Sequence, residues 1–128
     1  MDRGNSVLWL GNDEAVSGAL RELLAKHVIV KSVRDIPGAL SVLEDGDYIA
    51  LFCAWTSHFG TWREAVREVL KRFPELPIIV VYHAADEKAW VDVLNAGAFD
   101  LLAPPYSERM VLALLEQAVL SREVEAAA

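Results

Sequence analysis

The chain has a single cysteine, Cys53, among its 128 residues. One cysteine cannot form an internal disulfide, which is typical of a reducing compartment. No segment approaches the roughly 20 consecutive apolar residues that span a bilayer, and the polar start at residues 1–6 does not resemble a secretory signal. These absences predict a cytoplasmic protein that does not enter a membrane.

Basic residues are also scarce, since 12 Lys and Arg accompany 19 Asp and Glu, for a net charge of −7. Nucleic-acid backbones are bound by basic surfaces, so direct binding of nucleic acid is not expected. The sequence has no Gly-rich phosphate loop, no supported Ser-His-Asp set and no His-x-x-x-His spacing. We therefore expect no enzyme activity, no cofactor and no bound metal.

Short apolar runs that alternate with helical patterns account for much of the hydrophobic content of 54%. The runs that predict strands cover residues 7–10, 27–33, 49–55, 78–82 and 99–102. Helices are predicted after each strand, the second capped by Asp35 and the fifth covering about 108–124. This alternation predicts an α/β fold with a single doubly wound, five-stranded parallel sheet and five helices.

The length predicts one domain over residues 1–128, with a core from about 6 to 120. Residues 121–128 are expected to form a helix end or a linker to a possible output domain.

Two passages resemble the receiver domains of bacterial two-component response regulators. They are PELPIIVV at 74–81, and AGAFDLLAPPY at 96–106. Receiver domains have an apolar strand, a helix, an Ala-Gly-Ala segment and a Lys-Pro-aromatic turn in this order. The resemblance implies a flavodoxin-like receiver fold and a role in phosphorelay signal transduction or transcription regulation. It also implies a cis peptide bond between Pro104 and Pro105.

The phosphorylation site of that family is not retained. The family transfers a phosphoryl group from a histidine kinase to an aspartate, with two acidic residues for Mg²⁺, a Ser or Thr, and a Lys. In this sequence the resemblance matches the two acidic positions to Gly11 and Asn12. It matches the acceptor aspartate to Phe52, eight residues before Gly60 as in the family, the Ser or Thr to Tyr82, and the Lys to Pro104. A one-residue shift at the acceptor would give Cys53, which also cannot replace an aspartate. The resemblance thus implies a degenerate, phosphorylation-independent pseudo-receiver.

An altered pocket at this site is the alternative hypothesis, in which the domain binds a small molecule. Its candidate residues are Asp13, Cys53, Trp55 and His83. Trp55 could instead cover the vacated site as an apolar plug with Phe52 and Tyr82. Asn12 and Asp13 are interpreted as a helix cap rather than a residual Mg²⁺ site, and Cys53 as a core residue rather than a redox sensor. An enzyme on a flavodoxin-like fold is the weakest hypothesis.

A protein-binding surface is the main functional expectation. In the fourth helix, the resemblance matches Val91 and Leu94 to inward positions of the receiver family, which leaves Trp90 toward the side or surface of the helix. The predicted sheet-facing stripe of the fifth helix comprises Met110, Val111, Leu114, Leu115 and Ala118. Receiver domains commonly pair through the fourth helix, fifth strand and fifth helix. The residues expected to form a homodimer or output-domain interface are Trp90, Leu101, Leu112, Val119 and Leu120.

Overall fold

The computed structural model describes residues 6–11, 14–54, 62–82 and 87–127, with backbone alone for residues 14–17 and 122–127. Five strands alternate with five helices in these ranges. In chain order they are β1 (Ser6–Leu10), α1 (Glu14–Ala25), β2 (Ile29–Val33), α2 (Ile36–Asp45), β3 (Leu51–Ala54), α3 (Trp62–Arg72), β4 (Ile78–Val81), α4 (Glu87–Asn95), β5 (Asp100–Leu102) and α5 (Glu108–Ala127). The predicted α/β alternation is confirmed.

All five strands are parallel and form one sheet in the order β2-β1-β3-β4-β5. Neighbouring residues of a strand face opposite sides of the sheet, so each strand contributes to two cores. Cys53 belongs to a first core with side chains of α2, α3 and α4. Phe52 belongs to a second core with side chains of α1 and α5. The sheet is therefore doubly wound, as predicted.

Local sequence chemistry explains where several helices begin and end. Asp35 is the N-cap of α2, and its Oδ1 accepts a hydrogen bond of 2.8 Å from the Gly38 amide. Ser107 immediately precedes α5, and its Oγ accepts a hydrogen bond of 3.1 Å from the Met110 amide in the first turn of that helix. Gly97 follows α4 with φ +103°, a conformation that favours glycine at a helix end.

Four strands are shorter than the sequence predicts, and in β4 and β5 the difference is one residue each. β2 begins at Ile29 rather than His27, because the amides of His27 and Val28 still bond to the Leu24 carbonyl at the end of α1. β3 begins at Leu51, although residues 48–50 before it are also buried. Trp55, the predicted end of that strand, lies outside the described residues. α5 continues to Ala127, slightly beyond its predicted end.

The predicted inward faces of two helices need correction. In α4 the buried residues are Ala89 and Val93, whereas Val91 is 43% exposed and Leu94 36% exposed. In α5, Met110 is 41% exposed, while the other four predicted stripe residues are buried. Successive residues of a helix are about 100° apart around its axis. A prediction that places Val91 inward, instead of Ala89, therefore assigns the wrong side of α4 to the core. Within the described residues no helix has both the length and the apolarity to cross a bilayer.

Candidate functional site

The carboxyl ends of the strands form the edge where open α/β sheets place their ligands. Cys53 of β3 lies beside Leu10 of β1, and Ala54 lies beside Val81 of β4. Tyr82 then donates its amide to the Leu102 carbonyl at 2.8 Å. The strands therefore end at one level, with Ala54 at the tip of β3.

Gly11 and Ala54 pack directly against one another at this edge. Gly11 has φ +143°, and a Cβ added to it would lie 2.8 Å from the Ala54 Cβ. Both the backbone conformation and the lack of space therefore require glycine at position 11. Ala54 itself is only 4% exposed. Between the ends of β1 and β3, the described residues thus present a methyl group and a glycine instead of carboxylates.

Phe52 does not lie at the tip of β3, which corrects its expected location. It is two residues from the end of the strand, 0% exposed, and paired in register with Trp9 and Ile79. Its ring stacks on that of Trp9 with centroids 6.0 Å apart and planes 12° apart. The match of Phe52 to the acceptor position relied on counting back from Gly60 across the segment that connects β3 to α3. The lengths of connecting segments vary among related folds, whereas the register of paired strands does not.

Cys53 lies in the first core, where its side chain is 0% exposed. Its thiol is fully buried, and this burial raises its pKa from 9.0 to about 12. A thiol that remains protonated is a poor nucleophile and a poor redox sensor. The other proposed pocket residues, Asp13, Trp55 and His83, lie outside the described residues, as does Asn12. The small-molecule pocket therefore stays a prediction.

The turn after β5 has the expected backbone form, since the Pro104–Pro105 peptide bond is cis. Pro104 is exposed and has no side-chain cation. Tyr106 follows, and its hydroxyl is buried without a hydrogen-bond partner among the described residues. Burial raises the pKa of this phenol. The sequence does not indicate that this hydroxyl lacks a partner, because an aromatic residue in this turn is equally consistent with a hydrogen-bonded hydroxyl.

A cleft of about 810 Å³ lies between this turn and α1. Its lining includes Leu23 and Lys26 of the α1 side, together with Pro104, Pro105 and Tyr106.

Among the described residues, no group of three or more His, Cys, Asp or Glu side chains is placed to hold a metal.

The surface of α4 presents three large apolar side chains to solvent. Trp90 is 46% exposed and lies beside Val91 and Leu94, which are exposed as described above. The indole Nε1 of Trp90 donates to Asp100 Oδ1 at 3.3 Å, and the same oxygen accepts the Leu101 amide at 2.8 Å. Trp90 is therefore held against β5 while much of its ring remains accessible.

The other predicted interface residues differ in exposure. Leu101 is partly buried against the first core and Val119 against the second. Leu112 is 38% exposed and Leu120 is 52% exposed. Met110, also exposed, lies about 200° around α5 from Leu112 by helix geometry. The exposed apolar residues of α5 therefore lie on both sides of its buried stripe, and one flat surface cannot include them all.

Comparison with solved structures agrees with the observed fold. No protein-family model matches the sequence, and no curated protein matches it. The signal receiver domain of an HD domain-containing protein from Pseudomonas fluorescens Pf-5 superimposes with a TM-score of 0.82 at 20% identity, over 98% of this chain and 94% of that one. A CheY-like receiver domain from Methanospirillum hungatei JF-1 gives 0.78 at 20% identity, covering 95% and 98%.

A third similar structure is the beryllofluoride-activated NtrC4 receiver domain dimer. It gives a TM-score of 0.79 at 15% identity, over 92% of this chain and 98% of that one. Identities this low show a shared fold and nothing finer. The chain therefore has the flavodoxin-like receiver fold that its sequence predicted.

Proposed function

We propose that this chain is a receiver-like signalling domain that does not accept a phosphoryl group and acts by binding other proteins. The observation that carries this proposal is the contact between Ala54 and Gly11 at the carboxyl edge of the sheet. In an active receiver this region needs an acceptor carboxylate and acidic ligands for Mg²⁺. We assign the acceptor position to Ala54, at the strand tip, in place of Phe52.

The neighbouring positions support the same interpretation. A hard divalent cation requires several oxygen ligands, and Gly11 and Ala54 supply no side-chain oxygen. Pro104 cannot supply the ammonium group that a lysine would direct at a phosphoryl oxygen. Tyr82 has a bulky phenol where the resemblance implies a small hydroxyl. We infer that the domain is not an enzyme and binds neither Mg²⁺ nor any other cofactor at this edge.

Phosphorylation can be tested directly. The purified protein is incubated with Mg²⁺ and acetyl phosphate, beside an active receiver domain as a positive control, and intact masses are measured. We expect the control to gain the mass of a phosphoryl group and this chain to remain unchanged. A stoichiometric gain on this chain would contradict the proposal.

The exposed face of α4 is the proposed protein-binding surface. Trp90, Val91 and Leu94 are close neighbours on one helix, and clustered exposed apolar residues commonly mark interaction sites. Tryptophan is also enriched among the residues that dominate binding energy. We propose that this face, with Leu101 and with Leu112, Val119 or Leu120 of α5, forms a two-fold homodimer or docks an output domain. Such docking would regulate signalling or transcription in the cytoplasm of a bacterial cell.

The dimer proposal is tested by sedimentation velocity over a range of protein concentrations. We expect wild-type protein to self-associate and Trp90→Ala to shift the midpoint to at least about tenfold higher concentration, as for loss of a central aromatic contact. Ile29→Ala is the matched control, because Ile29 is an exposed apolar residue on β2, at the other edge of the sheet. A monomeric wild-type protein at every concentration would exclude the homodimer.

A further inference from the structure

β2 forms a free edge of the sheet in the described part of the chain. It pairs with β1 alone, and β5 is at the opposite edge. The Gly11 amide donates to the Val33 carbonyl at 3.1 Å, so Val33 directs its backbone groups toward β1. In the parallel register, the backbone amides and carbonyls of Ile29 and Lys31 also point toward β1. Val30 and Ser32 direct their amides and carbonyls outward, where another strand could bond to them.

The side chains of this edge leave an accessible apolar position. Ile29 is 66% exposed, which is the largest exposed fraction among the large hydrophobic residues of the described chain. Lys31 and Ser32 are also exposed, whereas Val33 is partly buried against the first core. Ile29, Lys31 and Val33 lie on the same face of the strand. Helix side chains therefore cover this face near Val33 and leave it open to solvent near Ile29.

The charge around β2 is opposite in sign to that of the whole chain. Residues 21–35 contain four Lys or Arg and two acidic residues, so they contribute +2 and leave −9 for the rest of a chain of net charge −7. Lys26, Lys31 and Arg34 are exposed. Of the two acids, Asp35 already accepts the Gly38 amide at the start of α2.

We propose that the β2 edge binds an acidic segment of a partner protein, which adds to the sheet as an extended strand. Hydrogen bonds to Val30 and Ser32 would fix the backbone, an apolar side chain would cover Ile29, and carboxylates would face Lys31 and Arg34. Strand addition of this kind obtains affinity from main-chain bonds and selectivity from alternate side chains. The proposal does not depend on the α4 surface, which lies near the opposite edge.

A synthetic peptide that repeats two valines and two glutamates, with acetylated and amidated ends, is a suitable probe, because each face of the extended strand then carries both apolar side chains and carboxylates. It is titrated into ¹⁵N-labelled protein, with a peptide that repeats two valines and two lysines as the charge control. We expect saturable shifts centred on the amides of Val30 and Ser32, slower exchange of those amides with solvent, and no binding of the lysine peptide.

Two variants separate the contribution of backbone hydrogen bonds to peptide binding from the contribution of charged side chains. Ser32→Pro removes an outward amide without removing a hydrogen bond to β1, and we expect it to weaken peptide binding at least about tenfold. Ser32→Ala is its control and should bind as wild type does. The double variant Lys31→Glu with Arg34→Glu, confined to exposed positions, should weaken binding about tenfold and bind the lysine peptide instead.

Several results would overturn the proposal. They are no saturable binding of the glutamate peptide to wild-type protein, shifts centred on α4, or unchanged binding by both Ser32→Pro and the charge-reversed variant. Self-association of the wild type that Ser32→Pro abolishes would also overturn it, since the edge would then take a second copy of this chain.

Discussion

Cys53 is a sensitive probe of how tightly the end of β3 is packed. Its side chain is 0% exposed, and burial raises the pKa of the thiol to about 12. At pH 8 the thiolate fraction should therefore be about one in 10⁴, whereas a thiol with the ordinary value would be about one-tenth ionised. We expect alkylation of the folded protein to be at least about a thousandfold slower than alkylation of the unfolded chain.

The same burial predicts how stability changes with pH. Below the ordinary thiol pKa of 9.0 the thiol is protonated in both states, so its contribution to stability is fully present. Above that value the unfolded chain loses the proton first, and the free energy of unfolding falls as the pH rises toward about 12. A shift of three pKa units corresponds to at most about 4 kcal/mol.

The assay compares iodoacetamide labelling at pH 8 in buffer and in urea, followed by urea unfolding at several pH values from 8 to 10. Cys53→Ala provides the reference, because every other titratable group is present in both proteins. The difference in stability between wild type and variant should decline with pH. Native labelling within tenfold of the unfolded rate, or identical pH dependence of the two proteins, would refute this reasoning.

Three further predictions concern stability and are measured by urea unfolding with far-UV circular dichroism. Gly11→Ala should destabilise the domain by about 2 kcal/mol or more, because Gly11 has a positive φ and contacts Ala54. Adding Ala54→Gly to this variant should recover part of the lost stability. Full stability of the single variant Gly11→Ala would be inconsistent with the contact. Tyr106→Phe should be neutral or stabilising by about 1 kcal/mol, since it removes a buried hydroxyl without a partner; a large loss would reveal a hydrogen bond. Asp35→Ala should cost about 1 kcal/mol at the start of α2, with Asp35→Asn as a control that retains the cap.

The order of strands and helices was predictable because the strand runs are short and apolar, and helix signals separate them. Asp35 and Pro37 show how local this information is, since both act within one turn of the helix that they begin. The parallel sheet and its two cores follow from the alternation of elements together with general rules for parallel sheets. The alternation does not fix the strand order, and the observed order is the one typical of the flavodoxin-like fold that the resemblance implied. The resemblance in residues 96–106 added the cis bond between Pro104 and Pro105, which the structure has.

The tip of β3 was harder to predict because it depends on tertiary register. Gly11 and Ala54 are distant in sequence, and only the pairing of β1 with β3 places them in contact. The sequence count gave Phe52 instead, whose large ring belongs in the core against Trp9.

The orientation of α4 was hidden for a related reason. Its buried residues are Val93 and the small Ala89, while the more hydrophobic Val91 remains at the surface. The match to the inward positions of the receiver family therefore selected the wrong face, because close packing against a sheet can favour a small side chain over a larger apolar one.

We propose that this domain binds other proteins through its surface without phosphorylation. The most direct measurement is sedimentation velocity of the wild-type protein, with and without Mg²⁺ and acetyl phosphate, at concentrations that span its self-association. We expect the same dimer fraction in both conditions, because we propose that Ala54, at the tip of β3, occupies the acceptor position. A dimer that forms only when Mg²⁺ and the phosphodonor are present would contradict it.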